Sequence, residues 1–395
     1  MCPASEATSR TSAKSGICSF CSTVQKYTKN SYFCAVNAFT RNILLWYSEN
    51  GRDLPWRRTR DPYAVWLSEI ILQQTRIAQG TAYWHRFMEQ FPTVEQLADA
   101  SEDEVLRLWE GLGYYSRARN LHAAAKQIVA AGGFPTTLEG IKALKGVGDY
   151  TAAAIGSICF GLPAAVVDGN VYRVLARYFG LATPVGTTEA KKEFTALAQQ
   201  LLPEEDPAAF NQGMMDFGAM QCTPQSPDCL TCPLQASCHA FRTGRVALLP
   251  VKKAPAAIQE RRFSYIYVRC NGYTAIRRRG PGDIWQGLYE PVVVERESSS
   301  MRAGVAMAKE KWFFAKPCEK YFSLADGPAG TDSIILIKKG VKHQLTHRTL
   351  IVDFYLLEAS ARPSLPDGYI WIPETALDSY AKPRLFELLL EAVRS

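Results

Sequence analysis

The 395-residue sequence lacks the features that would place it among membrane or exported proteins. It contains no run of about 18 consecutive apolar residues, which is the length that a transmembrane helix needs. The N-terminal stretch MCPASEATSRTSAKSGICSF has no compact apolar segment of the kind that forms a secretory signal. We therefore expect a protein of the cytoplasm.

The sequence also gives no sign of a disulfide framework, and it has no large excess of charge of one sign. The eleven cysteines are an odd number, which without an export signal favours free thiols in a reducing compartment over a disulfide framework. The 45 Lys and Arg residues exceed the 38 Asp and Glu residues only modestly, and the net charge is +7. Such an excess is compatible with a polyanionic partner but does not establish one.

The chain is long enough for two domains, and its composition changes along its length. Residues 1–33 are small and polar, so we expect them to be disordered. Residues 34–241 carry helix start and stop signals with little two-residue alternation, which predicts an all-helical domain. Residues 242–262 combine proline with clustered Lys and Arg, as linkers do.

The last part of the chain, residues 263–395, is rich in β-branched and aromatic residues. The segments FSYIYVRC, YTAIRRR, YEPVVVE, SIILIKK and TLIVDFYLL are typical of strands. Helical patterns occur near 301–312 and 382–394. Together these segments predict an α+β domain.

Four cysteines stand close together in the segment CTPQSPDCLTCPLQASC, at the spacing C-x6-C-x2-C-x5-C; they are Cys222, Cys229, Cys232 and Cys238. Four thiolates this close in sequence serve zinc or an iron–sulfur cluster. The spacing, within 222–238 and just after a helical region, resembles the cluster loop of the endonuclease III superfamily of DNA base-excision glycosylases. The resemblance implies one [4Fe–4S] cluster with a structural role, which helps to present basic residues to DNA.

The segment LKGVGDYTA is similar to the helix–hairpin–helix motif of the same superfamily. Gly146 and Gly148 allow a tight turn between two helices and leave backbone N–H groups near the next helix N-terminus. Such donors suit a DNA phosphate. We therefore expect Gly146, Val147 and Gly148 to contact DNA, although a turn of this kind also occurs in plain packing.

Asp168 lies between an apolar run and a helix start in AAVVDGNVYRVLAR. A helix N-cap would explain an aspartate here. The resemblance implies a catalytic aspartate at this point after the hairpin, and a carboxylate can stabilise the cationic sugar that forms when a glycosidic bond breaks. Both roles are compatible. Asn170, two residues later, is placed to orient Asp168 or a water molecule.

A second carboxylate, Glu69, lies in the apolar helical segment WLSEIILQQTR. Burial there would raise the pKa of the carboxyl and suit it to general acid catalysis, whereas a position at the helix edge would leave it in solvent. The longer segment LPWRRTRDPYAVWLSEIILQQT resembles the adenine DNA glycosylase branch, of the MutY type. In that branch the matching glutamate protonates the adenine and later activates water.

The resemblance extends to residues that reach the target base, which must be flipped out of the duplex. LQQT, with Gln73, Gln74 and Thr75, and GLGYYSR, with Tyr114, resemble the elements that intercalate into DNA. On this alignment Gln74 and Tyr114 enter the duplex. The positions that line the adenine pocket in the family are matched by Trp56, Arg57 and Gln212.

The strand-rich part resembles the Nudix-like domain of this branch, which senses 8-oxoguanine opposite the adenine. The matching loop, KHQLTHRTL, has Leu345, Thr346 and His347 where the family usually has an aromatic residue, serine and histidine. His343 and His347 also suggest a metal site, but we favour a DNA-contacting loop since no third ligand is near. The acidic signature of active Nudix hydrolases is absent, so we expect no pyrophosphate hydrolysis.

These resemblances imply a monofunctional glycosylase that removes adenine mispaired with 8-oxoguanine or guanine. Its partner would be double-stranded DNA in the bacterial nucleoid, and we expect a monomer. A bifunctional glycosylase/AP-lyase is an alternative, but it needs a lysine amine where this chain has Tyr150. Two further hypotheses are a thymine-mismatch glycosylase and a non-catalytic, redox-sensing iron–sulfur protein that binds DNA.

Overall fold

The computed structural model describes three stretches of the chain: residues 29–253, 258–296 and 333–395. Contacts divide the chain into two compact units, the first formed by residues 1–52 and 161–253 and the second by residues 53–160 and 254–395. This grouping assigns parts of the predicted helical domain to each unit, because it follows contacts in space and not composition along the sequence. The predicted domain boundaries stay a prediction.

Helices fill the described residues as far as Arg242, as the sequence predicts. In chain order they are α1 Lys29–Asn50, α2 Pro62–Ile71, α3 Ile77–Gln90, α4 Val94–Asp99, α5 Glu102–Leu108, α6 Ser116–Ala130, α7 Leu138–Ala143, α8 Asp149–Phe160, α9 Gly169–Phe179, α10 Thr188–Leu201, α11 Pro207–Met220 and α12 His239–Arg242. Helix α1 starts earlier than residue 34, because its polar first turn gives no apolar periodicity to detect. The predicted disorder of residues 1–28 lies outside the described residues.

In the first unit, buried aromatic side chains join the helices. Phe39 of α1 packs on Tyr178 of α9 with 4.7 Å between ring centroids, and Phe194 and Phe217 are also buried. The carboxylate of Asp216 on α11 is fully buried and pairs with the guanidinium of Arg52. These contacts fix α1, α9 and α11 against one another.

In the second unit, helix α2 is buried along almost its whole length, from Tyr63 to Ile71. Its N-terminus is fixed by Asp61, whose carboxylate accepts the backbone N–H groups of Tyr63 at 3.1 Å and Ala64 at 3.3 Å. Pro62 occupies the first turn, where its missing N–H costs nothing.

The strands of the second unit are β1 Gln259–Cys270, β2 Tyr273–Arg278, β3 Tyr289–Glu290, β4 Val292–Arg296, β5 Ser333–Gln344, β6 Arg348–Glu358 and β7 Tyr369–Pro373, and helix α13 Arg384–Arg394 follows them. Within the described residues the sheet has the order β3-β2-β1-β6-β5, with β4 paired to β1 and β7 paired to β2. Strands β1 and β6 are parallel, and the other pairs are antiparallel.

Three details of the sheet differ from the sequence prediction. Strand β1 begins at Gln259, inside the predicted linker 242–262, because pairing with β6 extends the strand over polar residues. The predicted strand YEPVVVE is split at Pro291, which cannot donate a ladder hydrogen bond. Strand β7 has no counterpart in the sequence prediction. The helical pattern near 301–312 lies outside the described residues.

Both faces of the sheet are covered, as alternate residues of β1 show. Phe263 and Tyr265 belong to one buried cluster, which α13 completes, whereas Ile266 and Val268 belong to another. The α+β prediction is therefore correct. In the part of the chain that the structure describes, helices long and apolar enough to span a bilayer are not found.

The strand-rich part of the second unit packs on helices α5 and α6 of the same unit. The guanidinium of Arg278 pairs with the carboxylates of Glu102 and Asp103, each at 2.9 Å. The backbone N–H of Lys382 donates to Glu110 at 3.0 Å. This packing brings the turn between β5 and β6 to Tyr114.

Candidate functional site

Asp168 forms the N-cap of helix α9 in the first unit. One carboxylate oxygen accepts the backbone N–H groups of Asn170 at 2.9 Å and Val171 at 2.8 Å, and the other accepts the side-chain amide of Asn170 at 2.7 Å. Burial raises the pKa of Asp168, and these donors oppose the increase. The carboxylate is thus half-buried in a fixed orientation.

A series of hydrogen bonds connects Asp168 with the cysteine loop. The amide oxygen of Asn170 accepts a bond from the guanidinium of Arg173 at 2.8 Å. Arg173 donates in turn to the carbonyl of Cys222 at 2.7 Å and to that of Gly218 at 2.5 Å. Gly218 is required here, because a Cβ atom would lie 2.6 Å from the Cβ of Asn170.

The cysteine loop presents its thiols to hydrogen-bond donors, which is what four thiolate ligands need. The Arg177 guanidinium lies 3.4 Å from the Sγ of Cys222 and donates to the carbonyl of Thr223 at 2.7 Å. Burial raises the pKa of Cys232 to about 12, and the backbone N–H of Leu234 opposes this. Burial likewise raises the pKa of Cys238, which backbone donors oppose.

The thiols of the predicted ligands Cys222, Cys229, Cys232 and Cys238 influence one another: burial first, and then neighbouring thiols of this set, raise the pKa of each of the last three. Among the described residues, no three or more His, Cys, Asp or Glu side chains are grouped tightly enough to hold one metal ion. The metal-ligand role of these four cysteines stays a prediction.

Gln212 is buried on α11 in the same unit. Its side-chain oxygen accepts the hydroxyl of Tyr47 at 2.6 Å, which fixes the orientation of the amide. Trp56 and Arg57, the other residues predicted for an adenine pocket, belong to the second unit. Trp56 is buried against Trp84, with 5.9 Å between ring centroids, and Arg57 is half-buried in the same short 3₁₀ helix.

Glu69 lies in the middle of α2 in the second unit, with a relative exposure of 8%. Of the two positions that the sequence left open for this glutamate, the structure shows the buried one. The neighbouring thiol of Cys159 has its pKa raised to about 12 by burial first and then by the carboxylates of Asp61 and Glu69. The raised pKa of Glu69 itself stays a prediction.

The two predicted intercalating elements are tight turns with strained backbones. Gln74 has φ of 57° and Tyr114 has φ of 48°, in the left-handed region that residues other than glycine seldom adopt. Gln73 donates to the hydroxyl of Thr151 at 3.3 Å, and the hydroxyl of Thr75 donates to the carbonyl of Gln73 at 3.4 Å. Tyr114 is 49% exposed, as a residue that enters DNA must be.

The hairpin between α7 and α8 uses its two glycines differently. Gly146 has φ of 77°, and a Cβ atom there would lie 2.6 Å from the Cβ of Asn120. Gly148 also lies between the two helices, but its φ is not positive, so the backbone conformation there does not require glycine. A Cβ at Gly148 would point into open space, so glycine here keeps the backbone accessible. Val147 is buried and anchors the turn.

Tyr150 follows the hairpin in the first turn of α8 and is half-buried. The nearest upstream amine on α7, that of Lys142, forms an exposed ion pair with Asp149. Lys145 follows in the hairpin, where its backbone N–H donates to the side-chain oxygen of Gln127 at 2.7 Å. Neither lysine occupies the position of Tyr150 in the motif.

The turn between β5 and β6 carries the three residues predicted to recognise 8-oxoguanine. Thr346 and His347 are exposed, and the backbone N–H of Leu345 donates to the carbonyl of Arg348 at 2.8 Å. The Leu345 side chain packs on the core of the sheet. The Thr346 hydroxyl lies 2.6 Å from that of Tyr114, which joins two residues that are distant in sequence.

Sequence reasoning missed three buried arginines: Arg117, Arg173 and Arg177. Arg173 and Arg177 are four residues apart on α9, and this spacing next to Asp168 was the available signal. However, two arginines four residues apart also occur on the polar face of an ordinary amphipathic helix. The spacing does not show which carbonyl groups accept hydrogen bonds from the guanidinium groups.

Comparison with known proteins agrees with both parts of the architecture. Residues 67–204 match the family described as HhH-GPD superfamily base excision DNA repair protein, and residues 264–392 match the NUDIX domain family. The chain is 33% identical over 289 residues to the adenine DNA glycosylase of Buchnera aphidicola subsp. Acyrthosiphon pisum (strain APS), which is 72% of this chain and 81% of that protein. The chain belongs to the adenine DNA glycosylase family.

Other members of the family are longer. The adenine DNA glycosylase of Rattus norvegicus is 44% identical over 241 residues, which is 58% of this chain and 47% of that protein. The chain thus spans about half the length of this relative. A solved structure of a thermostable thymine-DNA glycosylase is also similar, with a TM-score of 0.51, 31% identity, and coverage of 54% of this chain and 99% of that one.

Proposed function

We propose that this protein is a monofunctional DNA glycosylase that hydrolyses the N-glycosidic bond of adenine opposite 8-oxoguanine or guanine. Membership of the adenine DNA glycosylase family supports the choice of base. The observation that carries the proposal is the carboxyl of Glu69, which is held inside an apolar helix where a general acid is expected.

Glu69 acts first in the proposed mechanism. Its carboxyl must hold a proton when adenine binds, since a general acid donates that proton in the reaction. It donates its proton to a ring nitrogen of adenine, which turns the base into a neutral leaving group. The carboxylate that remains then takes a proton from the attacking water, as general acid/base residues of glycosidases do.

Asp168 stabilises the positive charge that develops on the sugar as the bond breaks. Its two oxygens are held by donors from Asn170 and Val171, so the carboxylate needs no reorganisation during the reaction. These donors also favour the anion over the neutral acid, against the effect of burial. Asn170 is a positioning residue, which holds the second oxygen of Asp168.

The residue after the hairpin argues against the alternative of a bifunctional glycosylase/AP-lyase. A lyase needs an amine that forms a Schiff base with the sugar, and a tyrosine hydroxyl cannot do so. Tyr150 occupies the relevant position, and the amine of Lys142 is paired with Asp149. The strand is therefore expected to stay intact after the base leaves.

Recognition of the duplex follows from the turns of the second unit. The accessible backbone at Gly148 and the N-terminus of α8 suit a DNA phosphate. Gln74 and Tyr114 enter the duplex while the adenine is flipped out. The contact between the hydroxyls of Tyr114 and Thr346 supports a role for the β5–β6 turn in sensing the base opposite adenine.

The cysteine loop is proposed to hold one [4Fe–4S] cluster, bound by Cys222, Cys229, Cys232 and Cys238. The donors around Cys222, Cys232 and Cys238 fit thiolate ligands. When bound, the cluster supplies structural cross-linking of the loop. The purified protein is expected to be yellow-brown and to contain about four irons per chain, whereas a colourless protein loaded with zinc would contradict the proposal.

A strand-breakage assay tests the proposed function. A labelled duplex with adenine opposite 8-oxoguanine is incubated with the protein, and strand breaks are scored before and after alkali. Breaks that occur only after alkali, together with free adenine, are expected. Breaks without alkali would indicate a lyase. Release of thymine and not adenine would indicate a thymine-mismatch glycosylase. The absence of any released base would favour a non-catalytic DNA-binding protein. A duplex with cytosine opposite guanine is the control.

A further inference from the structure

Arg117 lies in the first turn of α6, and its guanidinium is buried. One terminal nitrogen donates to three carbonyl oxygens at the end of α2: those of Ile70 and Ile71, each at 2.9 Å, and that of Gln73, at 2.5 Å. The last carbonyls of a helix have no donor within the helix. Arg117 satisfies them and fixes the chain immediately before Gln74.

The other terminal nitrogen of Arg117 reaches the second intercalating element. It donates to the carbonyls of Gly113 at 3.3 Å and Leu112 at 3.4 Å, and to the hydroxyl of Thr75 at 3.4 Å. The guanidinium also lies over the rings of Trp109, at 4.9 Å, and Tyr114, at 5.7 Å. A single side chain therefore contacts the backbone of both turns.

Both turns need such support. Gln74 and Tyr114 have left-handed backbones, which persist in residues other than glycine only when the surroundings hold them there. Burial lowers the pKa of Arg117 to about 10, so the guanidinium keeps its charge at neutral pH and its bonds to carbonyls stay charge-assisted. A lysine has one ammonium group and cannot span two turns as the planar guanidinium does.

We propose that Arg117 is a positioning residue that couples the Gln74 and Tyr114 turns, so that both side chains enter the duplex as one rigid unit when a base is extruded. This inference rests on the proposed function, because it presumes that both turns contact DNA. Arg117 itself is buried and does not touch the substrate. Its effect is therefore on extrusion of the base and not on overall affinity, which phosphate contacts dominate.

The test separates extrusion from chemistry and from binding. Asp168→Asn is used as the background so that the base stays attached, and 2-aminopurine is placed beside the target adenine to report unstacking. With Arg117→Lys added, the fluorescence increase on binding is expected to develop roughly 10-fold more slowly, because small misplacements of aligned groups have effects of this size. The Kd, measured by fluorescence anisotropy on the same duplex, is expected to change by less than about 3-fold.

One variant controls for general damage, and a second tests the proposal without changing Arg117. Arg107→Lys changes an exposed arginine on α5 and is expected to leave both signals as in the background protein. Thr75→Val removes one acceptor of Arg117 and leaves the arginine in place, so it tests the proposal even where Arg117→Lys folds poorly. It is expected to slow the fluorescence change by about 2-fold, as loss of one weak hydrogen bond would.

A second duplex, with mismatched pairs on both sides of the target, is already partly unstacked. The Arg117→Lys defect is expected to shrink there, whereas a protein that is merely unstable would be equally defective on both duplexes. Unstacking at the background rate in both Arg117→Lys and Thr75→Val would overturn the inference. If the unchanged protein releases no adenine, the proposed function fails instead, so the two failures are distinguishable.

Discussion

The two carboxylates of the proposed mechanism are held in opposite ways by the two units. Asp168 stands at the start of a helix, half-buried, with N–H donors on both oxygens. Glu69 stands in the middle of a helix whose residues are almost all buried. The same chemical group therefore caps a helix in one unit and lies buried in the middle of a helix in the other.

This difference accounts for a division of roles. Burial raises the pKa of Asp168, and its hydrogen-bond donors oppose this increase and so favour the anion. Asp168 suits the stabilisation of a cation, and Glu69 suits proton donation. The following predictions test this contrast, from the largest expected effect to the smallest.

Removing either carboxylate is expected to have the largest effect. Asp168→Asn and Glu69→Gln should each lower the single-turnover rate of adenine release by ~10³-fold or more, because each removes a group that acts in the transition state. Asp206→Asn is a matched control, because Asp206 caps α11 in the same unit through the N–H of Ala209. A comparable loss in that variant would mean that Asp168 matters only as a cap.

Loosening the hydrogen bonds around Asp168 is expected to have a smaller effect that depends on pH. Arg173→Met removes a donor to Asn170 and a positive charge that lowers the pKa of Asp168. The pKa of Asp168 should therefore rise further. As the pH is lowered, the carboxylate should become protonated, and inactive, at a higher pH than in the unchanged protein. The rate should drop about 10-fold at neutral pH, and the acidic limb of the pH–rate profile should move upward.

An exposed arginine on α12 provides the control for this variant. Arg242→Met should leave the pH–rate profile unchanged, because the side chain of Arg242 is exposed and is not among the groups that shift the pKa of Asp168. An unchanged acidic limb in Arg173→Met would separate Arg173 from the titration of Asp168. In that case, the hydrogen-bond donors around Asp168 could not be said to keep its carboxylate charged.

The two glycines of the hairpin should separate stability from DNA binding. Gly146→Ala introduces strain at a positive φ and a clash with Asn120, so it should lower the free energy of unfolding by about 1–3 kcal/mol. Gly148→Ala should leave stability within ~0.5 kcal/mol but weaken duplex binding about 3-fold. Urea unfolding and anisotropy measure the two quantities. The reverse pattern would place the phosphate contact elsewhere.

The smallest effect is expected at the contact between Tyr114 and Thr346. Thr346→Val and Tyr114→Phe each remove one of two bonded hydroxyls, so each should reduce the preference for 8-oxoguanine over guanine by about 5-fold, and the double variant should do no worse. Rates on the two duplexes give this preference. Fully additive losses would show that the two hydroxyls act separately.

Much of the fold could be predicted from the sequence, because local signals decide it. Asp61 with Pro62 marks the start of α2, and Asp168 marks the start of α9, where the structure has them. The predicted resemblance to a helical glycosylase followed by a Nudix-like domain is confirmed by the family matches. The extension of β1 to Gln259 was not predictable, because pairing with β6 and not composition sets that end.

Only those residues of the candidate site that belong to sequence motifs could be predicted. The apolar residues around Glu69 made burial one of two possibilities, and only the structure decides between them. The roles of Arg117 and Arg173 depend on carbonyl groups from distant parts of the chain. The sequence does not show whether an arginine in a helix is solvated or donates hydrogen bonds to backbone carbonyls. The bond between Tyr114 and Thr346 likewise depends on how the sheet packs on α5 and α6.

The central claim is that the two differently held carboxylates act on the same nucleotide, and a double-mutant cycle tests this most directly. Adenine release from a duplex with 8-oxoguanine opposite adenine is measured in single turnover for Glu69→Gln, Asp168→Asn and the double variant. Residues that act as one catalytic unit have strongly non-additive effects. The double variant is therefore expected to be about as slow as the slower single variant. Losses that multiply would contradict the account.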